Sequence, residues 1–210
     1  LRRRRPPRPR VGRAALSDAA DLGELARRAQ AGDRGAHDEL LRALYRVVKK
    51  EVFFLLGSGA AAEDAVQETM IALHRGLAGF RGEASPRTWA ITIAARTARR
   101  LRRKESRHRP PDRAEDGEAD LAVMDVDTAG AAELVLLRRV LDRLAPKKRD
   151  AFVLMAIFEL TADEAGRALG TFSATAASRY RHARAELEAH LEKFDESGGV
   201  AATKDDGKVS

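Results

Sequence analysis

The run LTADEAGRALGTFSATAASRYRHARAELEAHL at residues 160–191 leaves this chain few folds to choose from. Thr161 with Glu164 three residues on is a capping-box pair, so a helix starts there. Gly170 follows Leu169 where a left-handed residue would end that helix. Ser173 is placed to cap the next one. Ala176, Tyr180, Ala183, Leu187 and Leu191 recur at helical spacing and give the second helix one apolar face. Thr175, Ser178, Arg179, Arg181, His182 and Arg184 fall largely on its remaining surface. A short helix, a tight turn and a basic second helix is the pattern of a helix-turn-helix, whose second helix enters the DNA major groove.

The rest of the chain reads as helical too. Few residues are β-branched or aromatic, and Ala, Arg and Leu dominate its 210 positions. The expected fold is all-α: two small helical domains joined by a flexible acidic linker, the second a helix-turn-helix. The expected boundaries are a disordered basic arm at 1–16, a first domain at 17–107, the linker at 108–130, the second domain at 131–194 and a frayed tail at 195–210. Pro6, Pro7 and Pro9 forbid a regular helix in the arm. In the first domain Asp33 is placed to cap a helix carrying Leu40, Leu44, Val47, Val48, Val52 and Leu55, ended by Gly57-Ser58-Gly59. The next helix shows Val66, Met70, Leu73 and Leu77 on one face, and Gly76 weakens its last turn. After the loop 79–84, Ser85-Pro86 starts another, with Trp89, Ile93 and Leu101 on its apolar side.

Charge is distributed unevenly. The formal net charge is +7. From Arg96 to Arg109 there are eight Lys or Arg against one acid, Glu105, and from Asp112 to Thr128 seven acids against Arg113. So little acid balances the first run that phosphate is its expected partner, with Arg96, Arg99, Arg100 and Arg103 on adjacent turns. Asp64 and Glu68 lie four apart with Gln67 beside them, near a helix N-terminus whose dipole favours acids. That face is either solvated or a dock for a basic partner. The absence of cysteine excludes disulfides and thiolate metal sites. His37, His74, His108, His182 and His190 are scattered; Glu186 and His190 sit one turn apart without an evident third ligand. No nucleophile motif or phosphate-binding glycine loop occurs, no cofactor is implied, and no apolar run approaches a membrane span.

Two segments, AEDAVQETMIALHRGLAGFRGEASPRTWAITIAAR (62–96) and LRRVLDRLAPKKRDAFVLMAIFELTADEAGRALG with TAASRYRHARAELE (137–170, 175–188), carry a resemblance in their order. Together they resemble the extracytoplasmic-function sigma factors of bacterial RNA polymerase. The resemblance implies a non-enzymatic, cytoplasmic specificity subunit with core polymerase and promoter DNA as partners, and an anti-sigma factor as a common inhibitor. It implies that Asp64, Gln67 and Glu68 bind the polymerase clamp. It implies that the loop from Phe80 to Ser85, with Arg81 and Arg87, helps to melt the upstream promoter element and captures an unpaired base. The helix through Arg96, Arg99, Arg100 and Arg103 would follow the strand and duplex phosphates. Thr175, Ser178, Arg179, Arg181, His182 and Arg184 would face the distal promoter element. Ala95-Arg96 stands where relatives often have Arg-Asn, and Ala177 where they often have Lys. Ala174, Ala176 and Ala177 leave few side chains for reading bases, so phosphate contacts and DNA shape carry more weight. A stand-alone helix-turn-helix regulator is the alternative; it accounts for the second domain and leaves the first without a role.

Overall fold

The computed structural model describes residues 13–108 and 128–198. The expected basic arm up to residue 12, the acidic linker at 109–127 and the tail beyond residue 198 lie outside the described residues. Among the described residues eight α-helices follow one another: α1 Arg13–Gln30, α2 Arg34–Leu56, α3 Ala60–Gly76, α4 Pro86–His108, α5 Thr128–Asp142, α6 Pro146–Phe152, α7 Ala162–Leu169 and α8 Ser173–Gly198. No strand occurs among the described residues. A 3-10 turn, Leu77–Gly79, follows α3, and α6 runs on into a π-helical turn, Val153–Ile157.

Local chemistry sets most of the boundaries. The Asp33 carboxylate accepts from the Ala36 amide at 3.0 Å, and Gly57 ends α2 at φ 88°. The Ser85 hydroxyl accepts from the Thr88 amide at 3.0 Å, ahead of Pro86 at the first position of α4. Both bonds of the Thr161–Glu164 capping box form, and Gly170 is left-handed at φ 58°. Ser173 differs from expectation. It is already helical, and the carbonyl of Phe172 closes the first turn of α8 by accepting from Thr175 and Ala176.

Two apolar clusters share α4. One holds Leu22 and Ala26 of α1, Leu40, Leu44 and Val48 of α2, Leu73 of α3, and Ala90, Ala94 and Leu101 of α4. The other takes Ile91, Ala95 and Ala98 from the adjacent face of α4, with Phe53, Phe54 and Leu55 of α2. Leu141, Leu154, Phe158, Leu169, Ala176 and Ala183 of the second half complete that cluster. The halves therefore pack on each other through α4 and α7. Alanine makes this possible: α4 carries small side chains on two faces, so neighbours approach closely on both sides. Trp89 and Ile93, expected on the apolar side of α4, are half-buried and pack against the first cluster. Trp89 also lies over Gly76, where an added Cβ would come within 3.1 Å of the indole. The glycine that weakens the end of α3 thus makes room for the ring.

The seam between the halves is polar as well as apolar. Arg102 donates twice to Asp150, at 2.9 and 2.6 Å, and the Asp150 carboxylate is almost fully buried. Arg149 and Arg138 both pair with Asp142. Burial, with Arg149 beside it, pulls the Arg138 guanidinium down to about 10 against the attraction of Asp142. Glu51 of α2 is fully enclosed, and neither of its carboxylate oxygens has a hydrogen-bond partner. Burial raises its pKa well above the usual carboxylate value; Arg87 opposes the rise and Asp150 adds to it. A carboxyl raised in the folded state stabilises the fold most below the unfolded value of about 4.3. That contribution is lost as pH climbs towards the folded value, because the unfolded chain releases the proton first. Glu51→Gln is therefore expected to be more stable than the wild type at pH 7, with the gap narrowing towards pH 4. Urea unfolding at several pH values measures this, and a gap that does not change with pH rejects it.

Candidate polymerase and nucleic-acid interface

The acidic end of α3 is solvent-facing. Asp64, Gln67 and Glu68 are all exposed, while Ala62, Ala65, Thr69 and Leu73 point inward. Thr69 is satisfied by donating to the Ala65 carbonyl at 2.6 Å. Val66 and Met70, on the expected apolar face, are half-buried against the core and also line a groove of about 1160 Å³ between α2 and α3. Tyr45, Lys49, Phe53, Gln67 and Ile71 also line it. Tyr45 and Ile71 remain 40% and 43% exposed, so the groove is apolar and open. Tyr45 and Ile71 gave no signal in the sequence beyond lying on helices. Glu68 is paired with Arg100 of α4, which joins one expected polymerase residue to one expected DNA residue.

The loop after α3 is pinned from α1. The Gln30 side chain donates to the carbonyls of Leu77 and Phe80 at 3.0 and 2.7 Å. Phe80 packs on Trp89 with ring centroids 4.9 Å apart and the rings tilted by 39°. These contacts hold open a hollow of about 270 Å³ lined by Phe80, Arg81, Trp89, Thr92 and Arg96, with Glu164 and Arg167 of α7 on its far wall. Arg81 is exposed and lies 3.4 Å from Glu83. Two aromatic rings with arginines at the mouth suit an unstacked base.

The basic face of α4 lies against the helix-turn-helix. Arg87 donates to the Phe158 carbonyl at 3.1 Å and its guanidinium sits over the Phe158 ring. Arg96 donates to the Arg167 carbonyl at 3.1 Å, and Arg99 to that of Leu169. The last two acceptors are the end of α7, where the helix dipole is negative. Arg99 lies 3.9 Å from Asp150. Burial lowers the Arg99 pKa; Asp150 counters this, while Arg103, Arg102 and Arg179 lower it further. Arg179 belongs to α8, so a charge expected on the second DNA surface adds to the field at Arg99. Arg103 is exposed.

On α8, Thr175, Ser178 and Arg179 are half-buried, whereas Arg181, His182 and Arg184 are exposed. Arg184 pairs with Glu188 at 2.6 Å, which raises its pKa. The turn and the start of α8 pass close to α7: a Cβ on Gly166 would meet the Thr171 carbonyl oxygen at 3.0 Å and the Ser173 nitrogen at 3.1 Å. A larger residue at Gly166 would push the turn and the start of α8 away from α7 by a few tenths of an ångström.

The remaining candidates form no metal centre among the described residues. His37 and His74, distant in sequence, meet with ring nitrogens 3.1 Å apart. His190 bonds the Glu186 backbone oxygen, while the Glu186 carboxylate pairs with Lys148. No helix among the described residues is long and apolar enough to cross a membrane.

The same architecture occurs in known proteins. Residues 39–108 match the family model of Sigma-70 region 2, and residues 134–187 match Sigma-70, region 4. The chain is 31% identical over 180 residues to the ECF RNA polymerase sigma factor SigM of Mycobacterium tuberculosis, covering 85% of this chain and 88% of that one. It is 31% identical over 182 residues to the RNA polymerase sigma factor NccH of Alcaligenes xylosoxydans, covering 84% and 98%. Its structure is similar to that of CnrH in complex with the cytosolic domain of CnrY, at 26% identity and a TM-score of 0.57 over 83% of this chain and 98% of that one. The sigma factor RpoE bound to the anti-sigma factor NepR, from Bartonella quintana, shares the fold at 18% identity and a TM-score of 0.56, over 74% of this chain and 96% of that one. Two regions matched in order, and relatives matched along most of their length, leave one conclusion: this chain belongs to the extracytoplasmic-function sigma factors, the subunits that bind core RNA polymerase and promoter DNA and direct transcription initiation.

Proposed function

We propose a division of labour among the surfaces of this sigma factor. Asp64, Gln67 and Glu68 contact the core polymerase. The hollow beside Phe80 and Trp89 takes an unpaired promoter base, with Arg81 and Arg87 at its approach. Arg96, Arg99, Arg100 and Arg103 hold backbone phosphates, and Thr175, Ser178, Arg179, Arg181, His182 and Arg184 face the distal element. The carrying observation is that Arg96 and Arg99 of α4 reach the end of α7, donating to the carbonyls of Arg167 and Leu169, which brings the basic helix of the first half against the helix-turn-helix of the second. The chain works in the cytoplasm and has no catalytic centre of its own; phosphoryl transfer belongs to the polymerase.

An anti-sigma factor is the natural inhibitor of such a protein. The open groove between α2 and α3, next to Gln67, supports a helical partner of that kind. Transcription by purified bacterial core polymerase on a pooled genomic promoter library tests the proposal. Discrete start sites that require this protein, and are lost in Arg179→Ala, are expected. Start sites unchanged by Arg179→Ala would remove α8 from promoter reading.

A further inference from the structure

Phe172 sits at the tip of the helix-turn-helix and is 84% exposed. Leu136, 61% exposed, is the next most exposed large apolar side chain among the described residues. Phe172 is nevertheless held firmly. Its carbonyl accepts from Thr175 and Ala176 at 3.0 Å, and the preceding Thr171 amide donates to Gly166 at 2.9 Å. Gly170 turns the chain just before it, at φ 58°. The backbone is thus fixed on both sides, and the ring stands clear of the protein.

From Thr171 to Ser178 every other residue is Ser, Thr or Ala. Phe172 is therefore the one long side chain at the leading end of α8 before Arg179. In a helix-turn-helix that end reaches the base edges in the major groove. The apolar feature that bases present there is the C5 methyl of thymine, and Phe is among the side chains that meet it. The residues further along α8 are cationic: Arg179, Arg181 and Arg184. An exposed aromatic ring beside such charges suits a nucleic acid better than an apolar protein surface.

We propose that Phe172 determines specificity in the distal promoter element by packing on a thymine methyl in the major groove. This rests on the reading of α8 as the recognition helix. It makes the recognition edge apolar at its tip and cationic behind, an arrangement that substitutes for the polar side chains missing at Ala174 and Ala177.

The test uses holoenzyme reconstituted with core polymerase. Duplexes with a randomised distal element are selected with the wild type and with Phe172→Ala. Each thymine enriched by the wild type is then replaced by deoxyuridine, which removes only the methyl group. At one or two positions deoxyuridine is expected to weaken wild-type binding about fourfold, the worth of one buried methyl. Phe172→Ala should bind thymine and deoxyuridine equally at those positions, and Phe172→Leu should keep part of the difference. Equal sensitivity to deoxyuridine in wild type and Phe172→Ala overturns the proposal. So does a uniform loss of affinity on all templates together with weaker core binding, which would place the ring on protein instead. Arg179→Ala serves as the reference: if it too leaves distal-element binding unchanged, the reading of α8 fails, and not the role of Phe172 alone.

Discussion

Asp150→Ala is expected to lower the unfolding free energy by about 3 kcal/mol, the lower end of what breaking a buried ion pair costs. The lower end applies because Arg102 is a quarter exposed and water reaches it, whereas the Asp150 carboxylate is only 3% exposed. The substitution leaves Arg102 with the Leu55 carbonyl alone, at 3.4 Å, and leaves Arg99 and Arg149 in a crowded positive cluster. Part of the loss returns elsewhere, since Asp150 also repels Glu51. Urea unfolding measures the total. In Asp150→Ala/Arg102→Met, where apolar packing replaces the pair, most of the stability should come back. A loss under about 0.5 kcal/mol in Asp150→Ala would reduce the pair to the value of a surface ion pair.

The same substitution has a second readout. Arg96, Arg99 and Arg102 donate to the second half of the chain, and phosphates compete for the same guanidinium groups. Loosening the seam should therefore raise the affinity of the free protein for duplex DNA at low salt. The slope of log affinity against log salt should steepen by roughly one to two units, one for each additional phosphate bound. Asp163→Ala is the control, because it removes one exposed acid from α7 without touching the seam. If both variants bind DNA more tightly by the same factor, net charge explains the change and the seam does not.

What could be read in advance divides along the range of the interactions involved. The Thr161–Glu164 box, the turn at Gly170, the Asp33 cap and the Ser85-Pro86 start span at most four residues, and residue types reveal them. The two-faced packing of α4 was hidden because Ala94, Ala95 and Ala98 carry no strong hydrophobic signal. Their contribution is to let neighbouring helices come close. Val66 and Met70 share the spacing of core residues and are half-buried, while Ala62, Ala65 and Thr69 fill the core beside them. The Gln30 clamp spans 47 and 50 residues, and the Arg102–Asp150 pair spans 48. No local pattern distinguishes an arginine that will meet a carbonyl from one that will meet solvent or phosphate. Of the basic set expected from the sequence, Arg103 and Arg181 are exposed, whereas Arg87, Arg99 and the still exposed Arg96 donate to carbonyls in the other half of the protein.

Asp64→Arg combined with Gln67→Ala should weaken binding to core polymerase by about 100-fold or more while sparing the fold. Two arguments set that size. A truncated hot-spot residue costs about 2 kcal/mol or more, and a reversed charge adds repulsion from the basic surface that an acidic patch would meet. Stability should change little, because both side chains are exposed on α3 and neither is placed in the core. The helix dipole favours the original Asp64 by only about 0.3–1 kcal/mol. Glu68 is left intact because its pairing with Arg100 ties α3 to α4, so replacing it would mix packing with docking. Binding of the variant to DNA in the absence of polymerase should be retained, or rise slightly with the added positive charge. Fluorescence titration against core polymerase, with thermal unfolding as the control, separates these effects. If core affinity stays within threefold of the wild type, the polymerase contact lies off this face. The groove beside it, with Tyr45 and Ile71 exposed at 40% and 43%, then becomes the contact to test, through Ile71→Asp.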